Sequence, residues 1–193
     1  MKGNFFDVCE LCKVLSNPLR LEMLSRVYSS KDGFNVSILA TKMMKSMGVS
    51  AVSQYLKQLE RVGLICRRRE GLYVNYYADS SRVPPATHDI IDLIRTQLRA
   101  HKSRTFARAF PALGNPFRAK VVGMLSRAGS LSAQAICAKT DHELRHLKRD
   151  LQLAVKSGLI DPNDDDVAQS TYHYIPPTDP IIRLLIERIV RFS

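Results

Sequence analysis

Residues 15–20 read LSNPLR, and residues 113–118 repeat this segment as LGNPFR. The tetrapeptide MLSR follows in each copy, and the tripeptide GLI comes after it, at residues 63–65 and 158–160. Because three landmarks keep their order and nearly their spacing, we interpret the chain as a tandem duplication. A repeat of about 95 residues is long enough to form a small domain.

Each copy starts with the same helix-initiation signal. Asn17 and Asn115 are favoured N-cap residues, because an amide oxygen accepts hydrogen bonds from the first free backbone N–H groups of a helix. Pro18 and Pro116 follow them, and proline is well tolerated at the first helical position. The pattern predicts helices that begin at Pro18 and Pro116.

Two more helices and a β-hairpin complete each copy. We predict second helices over residues 36–46 and 132–139, with a turn at Met47-Gly48 before the third helix of the first copy. The apolar positions of this third helix predict its buried face, and Gly63 ends it. These positions are Val52, Leu56, Leu59 and Val62.

Residues 64–69 and 72–77 are rich in β-formers and flank Glu70-Gly71, which predicts a hairpin wing with its turn at that dipeptide. In the second copy, residues 161–169 take the place of the wing tip. A single helix over residues 86–110 is predicted to join the copies, and a helix over residues 180–192 to close the chain. The sequence thus predicts a mainly α protein with small β-wings.

This order of elements is that of a winged helix-turn-helix. We expect two tandem winged helix-turn-helix domains, residues 1–100 and 101–193, joined by a long helix.

At these residues the first copy resembles the ArsR-like family of bacterial and archaeal winged-helix regulators. Residues 15–24 match the family's opening segment, residues 52–64 match its recognition helix, and residues 67–71 match its wing. The resemblance covers residues 10–100. It implies a DNA-binding transcriptional regulator, in most cases a repressor.

The chain departs from the family in its second helix, where residues 39–45 read LATKMMK and lack the Cys-x-Cys metal motif. The metal chemistry of the family is therefore not carried over. Usual members are also about half this length and dimerise through their first and last helices.

Charge supports nucleic acid as the partner. The chain carries 29 Lys and Arg against 18 Asp and Glu, a formal net charge of +11, and both halves share the excess. A strongly basic protein binds polyanions. No apolar run reaches the ~20 residues of a membrane helix and no secretion signal is present, so we expect a soluble, cytoplasmic protein without a membrane partner.

The candidate DNA-contacting residues of the first copy lie on the third helix and the wing. Small and polar side chains let a helix enter the major groove, while wing arginines reach phosphates or the minor groove. The alternative is an ordinary solvated helix face. The residues are Ser50, Ala51, Ser53, Gln54, Lys57, Arg67, Arg68, Arg69 and Tyr73.

The second copy gives conflicting signals. Its third helix carries Arg145, Lys148 and Arg149, a second candidate DNA-binding set, whereas its wing carries four carboxylates between Asp161 and Asp166. Carboxylates repel the phosphate backbone. We therefore favour a dimerisation role for this copy over a DNA contact.

Cys9 and Cys12 share one face of a predicted first helix over residues 4–15. Such a pair can bind a soft metal ion or form a disulfide, which makes it a candidate thiol or metal sensor. The alternative is packing of two small buried side chains. The chain's four cysteines are too few for a disulfide framework, and no other cofactor is indicated.

No phosphate-binding loop, nucleophile elbow or catalytic residue pattern is found in the sequence, so no enzyme activity is expected. The alternative to DNA binding is a winged-helix protein-interaction scaffold without specific DNA binding, against which the three wing arginines argue. One chain already holds two copies, and we favour an intramolecular pseudo-dimer over a homodimer.

Overall fold

The computed structural model describes residues 5–30, 33–43, 48–79, 87–99, 105–163 and 170–192. This part of the chain is mainly helical, with two small antiparallel sheets of three strands each, which confirms the predicted class. Its contacts divide it into two compact units. Unit 1 comprises Met1–Gly3 and Val14–Arg104, and unit 2 comprises Asn4–Lys13 and Thr105–Ser193.

Unit 1 contains the elements of the first sequence copy. Helix α1, Phe5–Leu15, precedes them and crosses the boundary between the units. The remaining elements are α2 Pro18–Ser29, β1 Phe34–Asn35, α3 Val36–Met43, α4 Val49–Arg61, β2 Ile65–Glu70, β3 Tyr73–Ala78 and α5 His88–Arg99.

Unit 2 opens with a 3₁₀ turn at Thr105–Arg108 and then repeats the succession of unit 1. Its elements are α6 Phe110–Leu113, α7 Pro116–Ala128, β4 Ser130–Ser132, α8 Ala133–Thr140, α9 Leu144–Lys156, β5 Ile160–Pro162, β6 Thr171–Tyr174 and α10 Pro180–Phe192.

The two units have the same architecture. Each runs helix, strand, two helices, two strands and helix, and the strand orders β1-β3-β2 and β4-β6-β5 are equivalent. Gly63 and Gly158 occupy matching places after the third helix, with φ of +78° and +71°. Both positions need a left-handed backbone, which glycine adopts without steric cost. The repeated fold agrees with the repeat in the sequence.

Both predicted helix starts are confirmed. The Asn17 side-chain oxygen accepts hydrogen bonds from the backbone N–H groups of Leu19 (2.9 Å) and Arg20 (3.1 Å). The Asn115 oxygen accepts one from the N–H group of Arg118, at 3.1 Å. Each proline occupies the first helical position.

The core of unit 1 forms where α2 packs against α4 and α5. Tyr28, on α2, is buried; its hydroxyl donates to the Leu64 carbonyl at 3.0 Å, and its own carbonyl accepts from Arg99 Nε at 3.0 Å. These two bonds connect the ends of α2 and α5 to the segment before β2. The fully buried apolar side chains of α4 and α5 include Val52, Leu56, Leu59, Ile90, Ile91 and Ile94.

Residues 4–13, which the sequence-based division assigns to the first domain, group with unit 2. Gly114 allows this approach, because a Cβ there would lie 2.8 Å from both the nitrogen and the Cα of Lys13. The first copy has Ser16 at the corresponding position. A side chain at residue 114 would therefore displace α1.

The single joining helix predicted over residues 86–110 is wrong. Helix α5 ends at Arg99, and residues 105–108 form a 3₁₀ turn before α6 begins. Nor could one α-helix run on into α6, since the Pro111 ring would clash with the Ala107 carbonyl. Proline is tolerated within the first turn of a new helix, where it lies here. Residues 86 and 100–104 are outside the described residues.

The hairpin turn is displaced by one residue from the predicted Glu70-Gly71. Glu70 pairs with Tyr73, so the turn residues are Gly71 and Leu72. Gly71 has a φ of +63°, which suits the first central position of a type II′ turn.

In unit 2, Asp161 and Pro162 belong to β5 rather than to a wing tip. Residues 164–169, with most of the predicted acidic tip, and Met47, in the predicted turn, lie outside the described residues. No helix in the described ranges has both the length and the apolar character needed to cross a bilayer.

Candidate nucleic-acid interface

Helix α4 presents a polar face to solvent because its apolar residues are buried on the other side. Val52, Leu56 and Leu59 are fully buried. Among the five candidate positions on this helix, three side chains are exposed and two are half-buried. The exposed ones are Ser50, Gln54 and Lys57, and the half-buried ones are Ala51 and Ser53.

Among the residues that the structure describes, the first turn of α4 is exposed. Its N-cap residue, Gly48, provides no side-chain hydrogen bond, and Val49 and Ser50 in the first turn are exposed. The first N–H groups of a helix carry a partial positive charge and can bind phosphate. Small side chains at this end also let the backbone approach a ligand closely.

The hairpin next to α4 carries the three consecutive arginines. Helix α4 packs against β2, and Arg67, Arg68 and Arg69 on β2 are all exposed. Arg67 Nε lies 3.3 Å from Glu60 Oε1, so an ion pair links β2 to the last turn of α4. The structure thus places the candidate helix and the candidate wing side by side in unit 1.

Alternation along β2 sends Arg67 and Arg69 to one face of the hairpin and Arg68 to the other. The register agrees, since Arg67 is opposite the buried Tyr76, and the Arg68 guanidinium lies over the Tyr77 ring, 5.3 Å from its centroid. Arg69 Nε donates to the Gly71 carbonyl at 3.3 Å.

Glu70 organises the face of the hairpin that carries Arg68. Its carboxylate accepts a hydrogen bond from the Tyr77 hydroxyl at 2.5 Å and another from Asn75 Nδ2 at 2.6 Å. These bonds, the tyrosine's first, hold the pKa of the Glu70 carboxyl below its ordinary value. Tyr73, the remaining candidate on the hairpin, pairs with Glu70 and is 64% exposed.

Arg20 supports α4 from the start of α2, a role that the sequence did not predict. Its Nε donates to the Val14 carbonyl at 2.5 Å, and its Nη1 donates to Gln58 Oε1 at 2.6 Å. The guanidinium also lies over the Tyr55 ring, 5.4 Å from its centroid. The repeat carries the signal that could have identified it, because Arg118 occupies the same position in the second copy.

The corresponding helix of unit 2, α9, carries its arginines beside carboxylates. Arg145 Nε lies 2.6 Å from Glu143 Oε2, and Arg149 Nε lies 3.0 Å from Asp150 Oδ1. Asp150 also faces His142, with its Oδ2 3.0 Å from Nε2. Lys148 is exposed. The positive charge of this second candidate set is therefore partly balanced by neighbouring acids.

Cys9 and Cys12 are both buried on α1. Burial raises the pKa of the Cys9 thiol from 9.0 to about 12. Burial also raises the pKa of Cys12, and the nearby Cys9 adds to this shift. Thiols that stay protonated are poor nucleophiles and poor metal ligands. This environment favours the packing interpretation over a sensor.

The residues that the structure describes contain no group of three or more His, Cys, Asp or Glu side chains arranged to hold a metal ion. A comparison with known proteins finds no matching family model, no matching curated protein and no matching solved structure.

Proposed function

We propose that the chain is a DNA-binding transcriptional regulator formed by two winged helix-turn-helix domains, in which unit 1 makes the main contact with duplex DNA. Helix α4 would enter the major groove, and the β2–β3 hairpin would contact the adjacent backbone or minor groove. One observation carries the proposal: α4 exposes a polar face directly beside a hairpin with three exposed arginines.

The shape of α4 suits a groove of B-DNA. The major groove is about 12 Å wide and admits one α-helix. Ser50, Ala51 and Ser53 are small enough to let the helix approach the base edges. Gln54 can form a bidentate contact with adenine, and Lys57 can contact a guanine or a phosphate.

The charge of the hairpin suits the phosphate backbone. Most protein–DNA hydrogen bonds go to phosphate and sugar, and they position the protein without reading the sequence. Arg69 has no carboxylate partner among the described residues, and Arg67 pairs with Glu60 at a largely exposed position where a phosphate can compete. These arginines supply affinity, and α4 supplies sequence preference.

Unit 2 plays a different part in this proposal. Glu143 stands at the N-cap of α9, where an anion would otherwise bind, and Asp150 lies beside Arg149 on the same helix. Carboxylates at these positions weaken any phosphate contact. We assign the repressor role, rather than activation, from the resemblance of the first copy.

The salt dependence of binding to random-sequence duplex DNA tests this proposal. Binding through arginine–phosphate contacts releases counterions, so the logarithm of the affinity falls linearly with the logarithm of the salt concentration. Replacing Arg67, Arg68 and Arg69 with Ala should flatten that slope by about 2 to 3, close to one per lost contact. It should weaken binding to all duplexes alike.

A matched control separates local contacts from bulk charge. Replacing Arg145, Lys148 and Arg149 with Ala removes the same number of positive charges from the +11 chain, but from unit 2. This variant should keep nearly the wild-type slope. The proposal fails if the wild-type chain binds duplex DNA without salt dependence, or if the control loses as much as the hairpin variant.

A further inference from the structure

The hairpin of unit 1 ends in an exposed apolar side chain. Leu72, the second turn residue, is 90% exposed, more than any other large apolar residue in the described ranges. Tyr73 is 64% exposed and Val74 37%. Single apolar residues are common on protein surfaces and do not by themselves indicate a binding site. Leu72 differs from such residues because it lies at the tip of an ordered hairpin, next to charged side chains.

Leu72 is held at the end of a braced ribbon. The Glu70–Tyr73 pair closes the turn, and the Glu70 carboxylate is hydrogen-bonded across the strands to Asn75 and Tyr77. The Arg68 guanidinium covers the Tyr77 ring. A tip fixed in this way loses little conformational entropy when it inserts into a partner, since its backbone is already ordered.

The charge beside the tip indicates the kind of partner. Three arginines and one carboxylate, that of Glu70, precede Leu72 on β2 and leave a net positive charge, so a surface that is anionic at its rim and apolar inside would suit the tip. Duplex DNA has this arrangement, with phosphates outside and stacked bases between them. A bilayer does as well, but one leucine buries less apolar surface than a single myristoyl chain, which itself gives only marginal membrane binding.

We infer that Leu72 is a wedge that enters the minor groove, separates one base step and kinks the duplex bound by unit 1. This inference rests on the proposed function. Apolar wedges act in this way in architectural DNA-binding proteins, where the unstacked step lets the duplex wrap more protein surface. Pyrimidine–purine steps unstack most easily, so the wedge favours a TA or CA step beneath the hairpin.

The test uses the full chain and duplexes of about 30 base pairs selected by it from a random pool. Dyes at the two ends report bending by energy transfer, and 2-aminopurine in place of adenine reports unstacking by its fluorescence. The variants are Leu72→Ala, Leu72→Met, which keeps a long apolar side chain, and Leu153→Ala, which shortens a 40%-exposed leucine of unit 2 as a control.

We expect the wild-type chain, Leu72→Met and Leu153→Ala to bend the duplex and to raise the 2-aminopurine signal. Leu72→Ala should lose both signals and bind about tenfold more weakly, as the loss of one buried leucine contact implies. Leu72 is almost fully exposed, so the folded state should tolerate both changes at this position.

Equal bending by Leu72→Ala and the wild-type chain would overturn the inference and leave the proposed function intact. Loss of binding to phosphatidylserine vesicles in Leu72→Ala, with bending unchanged, would also overturn it and point to a membrane. A dimer that Leu72→Ala dissociates, again with bending unchanged, would point to a second copy instead. If the wild-type chain binds no duplex at all, the inference and the proposed function fail together.

Discussion

Arg20 and Arg118 make the same hydrogen bond in the two units. Each follows the capping asparagine by three residues, and each Nε donates to a carbonyl six residues earlier, that of Val14 in one case and Ala112 in the other. Arg20 continues to Gln58 on α4, while Arg118 Nη2 donates to the Pro111 carbonyl. These arginines connect the start of a helix to the segment before it, so they contribute to folding rather than to binding.

Replacing Arg20 with Ala should lower the free energy of unfolding by about 1.5 to 3 kcal/mol, because hydrogen bonds from a charged, half-buried group are lost. Urea unfolding measures this. Arg26→Ala is the control, since Arg26 forms only a partly exposed i,i+4 pair with Glu22 at 2.7 Å and should cost no more than about 0.5 kcal/mol. Equal losses in the two variants would contradict the role assigned to Arg20.

The buried thiols of α1 predict a loss of stability at alkaline pH. The pKa of Cys9 is about 12 in the folded protein and near 9.0 in the unfolded chain, and that of Cys12 is raised as well. Above pH 9 the unfolded chain therefore binds fewer protons than the folded protein. Its free energy falls relative to the folded state, so stability decreases as the pH rises from 9 towards 12.

Urea midpoints measured at a series of pH values from 8 upward test this expectation. The Cys9→Ala, Cys12→Ala double variant lacks both titrating groups, so its midpoint should decline less steeply above pH 9. If the two proteins decline in parallel, the thiols do not contribute to the alkaline loss of stability.

At the scale of elements, the sequence predicted the features that depend on neighbouring residues better than those that depend on contacts between distant residues. The starts of α2 and α7 followed from asparagine and proline at adjacent positions, because capping depends on residues within one turn. The buried face of α4 followed from the spacing of Val52, Leu56 and Leu59, whereas Val62, predicted on the same face, is half-buried just after the helix ends. These features need no knowledge of the rest of the molecule.

The sequence predicted the hairpin turn one residue before its observed position. Sequence placed Gly71 second in the turn, whereas it is the first turn residue and Glu70 belongs to β2. The hydrogen bonds from Asn75 and Tyr77 to Glu70 accompany the observed register. Contacts between side chains five and seven residues apart across a hairpin do not appear in a strand-alternation pattern.

The break before α6 and the acidic partners on α9 were also missed. Apolar residues at 90–98, 106 and 110 suggested one continuous helix, but Pro111 favours a new start. The basic residues of α9 suggested a binding face, but Glu143 and Asp150, two residues and one residue away in the sequence, pair with Arg145 and Arg149. Charge counted along a sequence does not show which charges are paired.

In the proposed complex with DNA, Gln54 is the residue on α4 best placed to contact base edges. It is exposed on the same helix as Lys57, and glutamine matches the donor and acceptor pair of adenine. Gln54→Ala should reduce discrimination between a selected duplex and a random one by about 1 to 3 kcal/mol, with little effect on binding to random DNA. Competition binding measures the difference, and an equal loss on both duplexes would assign Gln54 to the backbone.

At the scale of the whole molecule, one fold occurs twice with different surface chemistry. In the described residues, unit 1 combines an exposed first turn of α4 with a hairpin of three arginines, one of them paired with Glu60, and unit 2 combines an α9 with Glu143 at its N-cap and arginines next to acids. Two units with the same order of elements and different surfaces suit a division of roles. We propose that unit 1 binds DNA and that unit 2 takes the role that a second protomer has in the dimers of the resembling family.

The oligomeric state stays a prediction. In the resembling family two protomers meet through their first and last helices, and a duplicated chain carries two sets of such helices. We therefore expect a monomer in sedimentation at micromolar concentration, with a single protected site on DNA. A tight dimer that protects two half-sites about one or two helical turns apart would show instead that each chain supplies one DNA-contacting unit.

Hydrogen–deuterium exchange of the full chain, with and without a saturating duplex of about 30 base pairs, tests the central claim most directly. The claim predicts slower exchange on α4, Val49–Arg61, and on the strands Ile65–Glu70 and Tyr73–Ala78 when DNA is bound. Exchange on α9, Leu144–Lys156, should not change. The claim would be contradicted if DNA slowed exchange on α9 and left exchange on α4 and the hairpin unchanged.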